Sequence, residues 1–246
     1  MGITKGIWIK EPIDIRNKET RKYNVNFIFK QGNIYIMDNH LAAAYCWIYE
    51  LDKSENLNFF HIDQHEDLWS DAPIESYIKI KDASHISLDE FLSMSYQSGK
   101  KQAFNYANYI LQTQRIFPNW FKKCCFACPD YVDNKELDII LQLDNIKLLG
   151  SISDATKWTY ATLERDKDNR WIINIDLDYF FYSNAFQMLT NEYIQFFFED
   201  LKNAMEESGK IAVVTIALSP ECCGGWDKVI PVANYVAEIL ELDFKL

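Results

Sequence analysis

The stretch Leu57-Asn58-Phe59-Phe60-His61-Ile62-Asp63-Gln64-His65-Glu66-Asp67 decides how this chain is read. Its first six residues form a largely apolar run of strand length. The run then gives way to Asp63, His65 and Asp67 at every second position. Side chains alternate faces along an extended chain, so the three would point the same way. Two carboxylates and an imidazole at the carboxyl end of a buried strand are metal-type ligands.

The rest of the chain frames that reading. With 246 residues, 48% of them hydrophobic, it is long enough for one large core and is expected to form a single domain over 1–246. Residues 1–25 are expected to form an N-terminal extension or an edge element. No apolar run approaches the ~18–20 residues a bilayer span needs. Met1-Gly2-Ile3-Thr4-Lys5 lacks the charged-then-apolar build of a signal peptide. The expectation is a cytoplasmic protein without a membrane partner. A net charge of −11 and a pI near 4.9 argue against nucleic-acid binding and are compatible with cationic substrates. Cys125-Phe126-Ala127-Cys128 has CxxC spacing but no second pair to complete a zinc site, so these cysteines read as small buried residues on a strand.

Element signals alternate along the chain. A hairpin is expected from 26–29 and 33–37 around Gln31-Gly32, and a helix over 41–51. Strands are expected at 57–62, 124–127, 146–149, 171–175 and 211–218. Ser87-Leu88-Asp89-Glu90 has capping-box spacing and starts a helix. Further helices are expected over 102–114, 134–143, 190–208 (stopped by Gly209) and 227–242. Apolar strands separated by helices predict a three-layer α/β/α fold with a mostly parallel central sheet. Ligands in such sheets sit beyond the strands' carboxyl ends.

Three more strand ends carry chemistry. One leads into Met37-Asp38-Asn39-His40, another into Asp176-Leu177-Asp178, and a third into Ser219-Pro220-Glu221-Cys222-Cys223-Gly224-Gly225. The candidate ligand set is therefore His40, Asp63, His65, Asp67, Asp176 and Asp178. Four clustered aspartates cannot all stay ionised without compensation, and two divalent cations would balance them. Oxygen and imidazole donors suit manganese, with zinc, iron, cobalt and nickel as alternatives. A bound divalent cation can lower the pKa of water from ~16 toward ~7.

These residues resemble the ureohydrolase (arginase/deacetylase) superfamily. Its hallmarks are a histidine ending the first motif, an Asp-x-His-x-Asp motif, and a later Asp-x-Asp followed by a glutamate. The distances along the chain from His40 to Asp63 and from Asp178 to Glu221 are also similar to those of arginases. At finer grain the three motifs resemble the peptide arginase branch, which acts in ribosomal peptide biosynthesis, converting peptidyl arginine to ornithine. The resemblance covers about 25–240 and implies an arginase-like fold and two Mn2+ ions. One ion would be held by His40, Asp63, Asp67 and Asp176, the other by Asp63, His65, Asp176 and Asp178. It further implies that Glu221 accepts hydrogen bonds from the substrate guanidinium, and that Asp67 carries a proton to the leaving nitrogen. The implied partner is an arginine-containing precursor peptide, and the products are ornithine and urea. His85 follows the site loop, where an arginase-type proton shuttle sits, although at a different spacing; a surface histidine flanking a helix is the other reading.

Departures from the family pattern bear on the substrate. After Asp67 the chain reads Leu68-Trp69-Ser70-Asp71-Ala72-Pro73-Ile74-Glu75, not the loop with which arginases grip a free amino acid. An arginine inside a peptide has no free α-groups to grip. Phe181-Tyr182 likewise replaces the acid and proline usual after Asp-x-Asp. Trp69, Tyr179 and Trp226 are candidates to line a peptide groove. His61 shares the face of Asp63 by parity and is expected to support the site or sit in the core. The alternatives are a small-molecule ureohydrolase (free arginine, agmatine or a guanidino acid), a one-metal deacetylase-like amidohydrolase, and a non-catalytic peptide-binding module.

Overall fold

Alternation along the strands splits the core in two. In the strand Leu57–Ile62, Phe59 packs to one side of the sheet and Phe60 to the other. The same division runs through Ile172 and Ile173, and through Val213 and Val214. Strands apolar on both faces need cover on both. The computed structural model that shows this describes residues 4–20, 23–69, 80, 86–96, 101–128, 146–148, 169–182 and 186–246.

Eight strands form the main sheet: β1 (Ile7–Lys10), β2 (Ile28–Gln31), β3 (Ile34–Met37), β4 (Leu57–Ile62), β5 (Cys124–Ala127), β6 (Ile146–Leu148), β7 (Arg170–Asp176) and β8 (Ile211–Ala217). Their spatial order is β1-β2-β3-β8-β7-β4-β5-β6. Pairing is antiparallel from β1 to β3 and parallel from β3 to β6. Helices α1 (Leu41–Glu50), α2 (Leu88–Ser93) and α3 (Tyr109–Ile116) cover one face. Helices α4 (Asn191–Ser208) and α5 (Trp226–Ile239) cover the other. This is the expected α/β/α architecture. No helix among the described residues is long and apolar enough to cross a membrane.

Most local signals translate directly. Gly32 turns the β2–β3 hairpin with φ 60°, and Gly209 ends α4 with φ 57°. The capping box at Ser87 and Glu90 forms as its spacing predicts. The helix expected over 102–114 is the exception, because α3 starts only at Tyr109. Asn105 and Asn108 bind the backbone ahead of it: Asn108 Oδ1 accepts from Asn105 N–H, Asn105 Oδ1 from Ala107 N–H, and Asn108 Nδ2 donates to Ala103 carbonyl. Such side-chain bonds compete with the helical ladder and hold 103–108 as a loop. The helix expected over 134–143 and the loop containing His85 lie outside the described residues.

Register brings the strand ends together. Ala217 pairs with Met37 on one side and Asp176 on the other, while Ile175 pairs with Ile62. Residues just beyond these positions therefore share one edge. The chain passes from β3 to β4 over the places later taken by β8 and β7, so this edge is also where the strand order reverses.

Candidate metal centre

Backbone geometry at the end of β4 differs from the extended run the sequence suggested. Asp63 Oδ1 accepts the His65 N–H at 2.7 Å, closing a tight turn, and Asp67 sits in the left-handed region at φ 53°. The bend, rather than period-two alternation, spreads the three side chains. Asp67 turns toward His40, with Oδ2 and Nε2 3.2 Å apart, and His65 turns toward Asp178, with Nδ1 and Oδ2 3.1 Å apart. Asp63 lies between them. Its Oδ2 is 3.9 Å from His40 Nδ1 and its Oδ1 is 3.4 Å from His65 Nδ1. The result is two groups, His40/Asp63/Asp67 and Asp63/His65/Asp178, each able to hold a metal ion and sharing Asp63.

Hydrogen bonds anchor Asp178 through one oxygen and Asp176 through both. Asp178 Oδ1 accepts from Gln64 N–H, and Asp176 Oδ1 accepts from Asp178 N–H. Asp176 Oδ2 receives the Ser219 hydroxyl at 2.5 Å and meets His40 Nδ1 at the same distance. Asp176 thus adjoins the first group through His40 and stands outside both. Among the described residues, His40 Nε2 and the Oδ2 atoms of Asp63, Asp67 and Asp178 are buried without a hydrogen-bond partner. The His40–Asp67 approach is close but misaligned for one. An orphaned buried polar atom costs roughly 1–3 kcal/mol, and more when charged. Four such atoms, all belonging to the two groups, fit a site for cations.

Electrostatics agree. Burial, reinforced by Asp178, Asp67 and Asp176, pushes the Asp63 carboxyl well above its ordinary range. Burial lifts Asp67 to about 7 against the opposing pull of His40. Asp178 is raised by burial and by Asp176. Burial opposes a charge on His40, but Asp67, Asp176 and Asp63 outweigh it and lift the imidazole to about 10. His65 is pushed up to about 12 by Asp178 and Asp63 beside it. Asp176 falls: burial raises its pKa, and His40, with the Asp178 N–H and the Ser219 hydroxyl, more than offsets it. Without cations, the cluster retains protons that metal ions would displace.

A buried polar layer supports the ligands from below. His61 receives a hydrogen bond at Nδ1 from Asn174 Nδ2 (2.8 Å) and lies 3.0 Å from His65 carbonyl through Nε2, so the proton sits on Nε2. Burial lowers its pKa to about 3, which fixes it as neutral. Asn174 also donates to Tyr109 and accepts from Thr215, which in turn accepts from Trp47. Tyr109 stacks on His40 with ring centroids 5.1 Å apart. His61 is a support for the site, as its parity with Asp63 indicated.

Above the cluster opens a cavity of about 590 Å³, walled by His40, His65, Asp67, Glu66, Glu221 and Trp69 among others. Trp69 is 56% exposed. Tyr106, Thr20 and Ser219 also line the cavity, and sequence reasoning assigned none of them a role. Tyr106 arrives on the loop fixed by Asn105 and Asn108, and nothing in its local sequence announces it. Two candidates for a groove are corrected. Tyr179 is buried in the core, and Trp226 is buried with its indole N–H on Lys18 carbonyl. The six cysteines carry no disulfide; Cys124, Cys125 and Cys128 are buried, and the Cys128 thiol donates to His65 carbonyl.

Together these features define an α/β protein with a candidate metal centre at the carboxyl edge of its sheet. No family model matches the chain, and no curated protein is similar to it in sequence. Its fold does have solved counterparts. The native structure of the arginase from Bacillus caldovelox at pH 5.6 is similar over 87% of this chain and 69% of that one, with a TM-score of 0.52 and 16% identity. The Helicobacter pylori arginase matches over 82% of this chain and 70% of its own at 11% identity, with a TM-score of 0.47. The first comparison identifies the fold as arginase-like.

Proposed function

We propose that this protein is a metal-dependent ureohydrolase that removes urea from arginine residues in a ribosomally made precursor peptide, leaving ornithine. The observation that carries the reading is the pair of Asp/His groups sharing Asp63 beneath a cavity that Glu221 also lines. Four carboxylates and two imidazoles balance two divalent cations in charge and in donor type, and manganese is the proposed metal. His40, Asp63, Asp67 and Asp176 would hold one ion, and Asp63, His65, Asp176 and Asp178 the other. Cations bound there supply Lewis acidity and an activated water for attack on the guanidinium carbon.

The chain's own residues account for the remaining steps. Glu66 and Glu221 give the cavity wall a negative character suited to a guanidinium. A carboxylate matches the planar donor fork of that group. Asp67, beside His40 at the cavity floor, would pass a proton to the leaving nitrogen. His85 is retained as a candidate proton shuttle. Water adds, the C–N bond to the side-chain nitrogen breaks, and urea and a protonated amine leave. The exposed Trp69 at the cavity favours a substrate larger than a free amino acid. Retention of His40, Asp67 and Asp176 counts against a one-metal deacetylase-like enzyme.

The test is incubation of manganese-loaded protein with arginine-containing peptides, followed by mass spectrometry and urea assay. Each modified arginine should lose one carbodiimide unit. Turnover of free arginine or agmatine, with every peptide untouched, would move the assignment to a small-molecule ureohydrolase.

A further inference from the structure

Glu221 is not held by its own loop alone. Its Oε1 accepts the Thr20 N–H at 2.6 Å, and its Oε2 accepts the Thr20 hydroxyl. Thr20 is buried, 201 positions away in sequence, and lines the same cavity. Its N–H and O–H form a two-pronged donor pair that meets both carboxylate oxygens at once.

The segment bearing Thr20 is sewn to the two loops that frame the site. Trp226, which opens α5, donates to Lys18 carbonyl at 2.8 Å. Asn39, the residue before His40, donates to the carbonyls of Thr20 (3.4 Å) and Asn24 (2.9 Å). Asp38 accepts from Asn26 through both backbone and side chain. Ile15 is buried in the core cluster that α4 and α5 cover. Thr20 is thereby held at a fixed place relative to both His40 and Glu221.

We propose that Thr20 is a positioning residue for the Glu221 carboxylate, and that the segment 15–20 completes the substrate-recognition wall through it. This rests on the reading of Glu221 as the guanidinium acceptor. A free glutamate side chain on a loop loses rotamer entropy when a ligand orders it. Thr20 orders it in advance. An ionised carboxylate offers about four lone-pair directions. Thr20 takes one on each oxygen, and a second on each remains for the two N–H groups of a guanidinium fork.

The test compares the wild-type protein with Thr20→Val and Thr20→Ser, manganese-loaded, using N-acetyl-L-arginine amide as the probe. Calorimetry gives its dissociation constant, and steady-state kinetics give kcat and KM. Removing the hydroxyl in Thr20→Val should weaken binding and raise KM by about tenfold, as loss of a hydrogen bond to a charged group does. Expected alongside are a kcat within about threefold of wild type, unchanged metal content, and recovery of affinity in Thr20→Ser. Unchanged affinity in a folded, metal-loaded Thr20→Val protein would overturn the positioning role. Tighter binding would also overturn it, by showing that Thr20 competes with the ligand. If the wild-type protein binds no guanidine, the reading of Glu221 falls; if it binds without turnover, only the hydrolytic reading falls, and the affinity comparison still decides Thr20.

Discussion

Asp63 reaches both candidate ion groups with one carboxylate, whereas Asp178 and Asp67 each belong to one. Asp63→Asn should therefore empty both positions and reduce kcat at least about a thousandfold, a scale usual for lost electrostatic catalysis. Asp178→Asn should chiefly affect one position; elemental analysis of the purified variants distinguishes the two patterns. A second prediction concerns His61, whose folded-state pKa is depressed to about 3 from an ordinary 6.5. The unfolded chain takes up its proton near pH 6.5 and the folded chain does not. The stability contributed by neutral His61 is therefore lost as pH falls from about 6.5 toward 3. The slope is at most about 1.4 kcal/mol per pH unit. In metal-free protein, His61→Gln should flatten the acid limb of stability against pH by that amount, read from urea unfolding. The metal-type residues were legible because each is a chemically distinctive side chain placed just past an apolar strand. Thr20 and Ser219 were not, since their roles arise only where distant segments meet.

At the scale of elements, apolar strands and capped helices were readable because their signals are local. Thr190 caps α4, Gly209 stops it, and Ser87 with Glu90 starts α2, each as its residue type dictates. The region ahead of α3 departs from the expected helix because helical composition there is overruled by two buried asparagines. Asn108→Ala leaves Asn105 N–H and Ala103 carbonyl without these partners. It should cost about 1–3 kcal/mol of stability by denaturant titration. It should also raise KM, because the loop that carries Tyr106 to the cavity loses its fastening. The turn after β4 makes the same point on a smaller scale. Alternation indicated convergence of Asp63, His65 and Asp67, but the Asp63–His65 turn and the left-handed Asp67 direct them to two groups instead of one.

For the whole molecule, cations and folding should be linked. A metal that binds only the folded chain raises its stability by about 2.7 kcal/mol at a hundredfold excess over Kd. Manganese should accordingly raise Tm, and a chelator should reverse the gain. The cluster holds protons on His40 up to about 10 and on Asp67 up to about 7 when no cation is bound. Cations must displace them, so the Tm gain should shrink as pH falls from 8 to 6. Sheet register is what makes this possible, because Met37, Ala217, Asp176 and Ile62 bring four strand ends to one edge. By the proposed reading, this edge builds one centre for two ions sharing Asp63. Calorimetric titration of metal-free protein with manganese decides between one ion and two. Two ions bound per chain, with proton release, is the predicted result; a single ion per chain, or none, would contradict it.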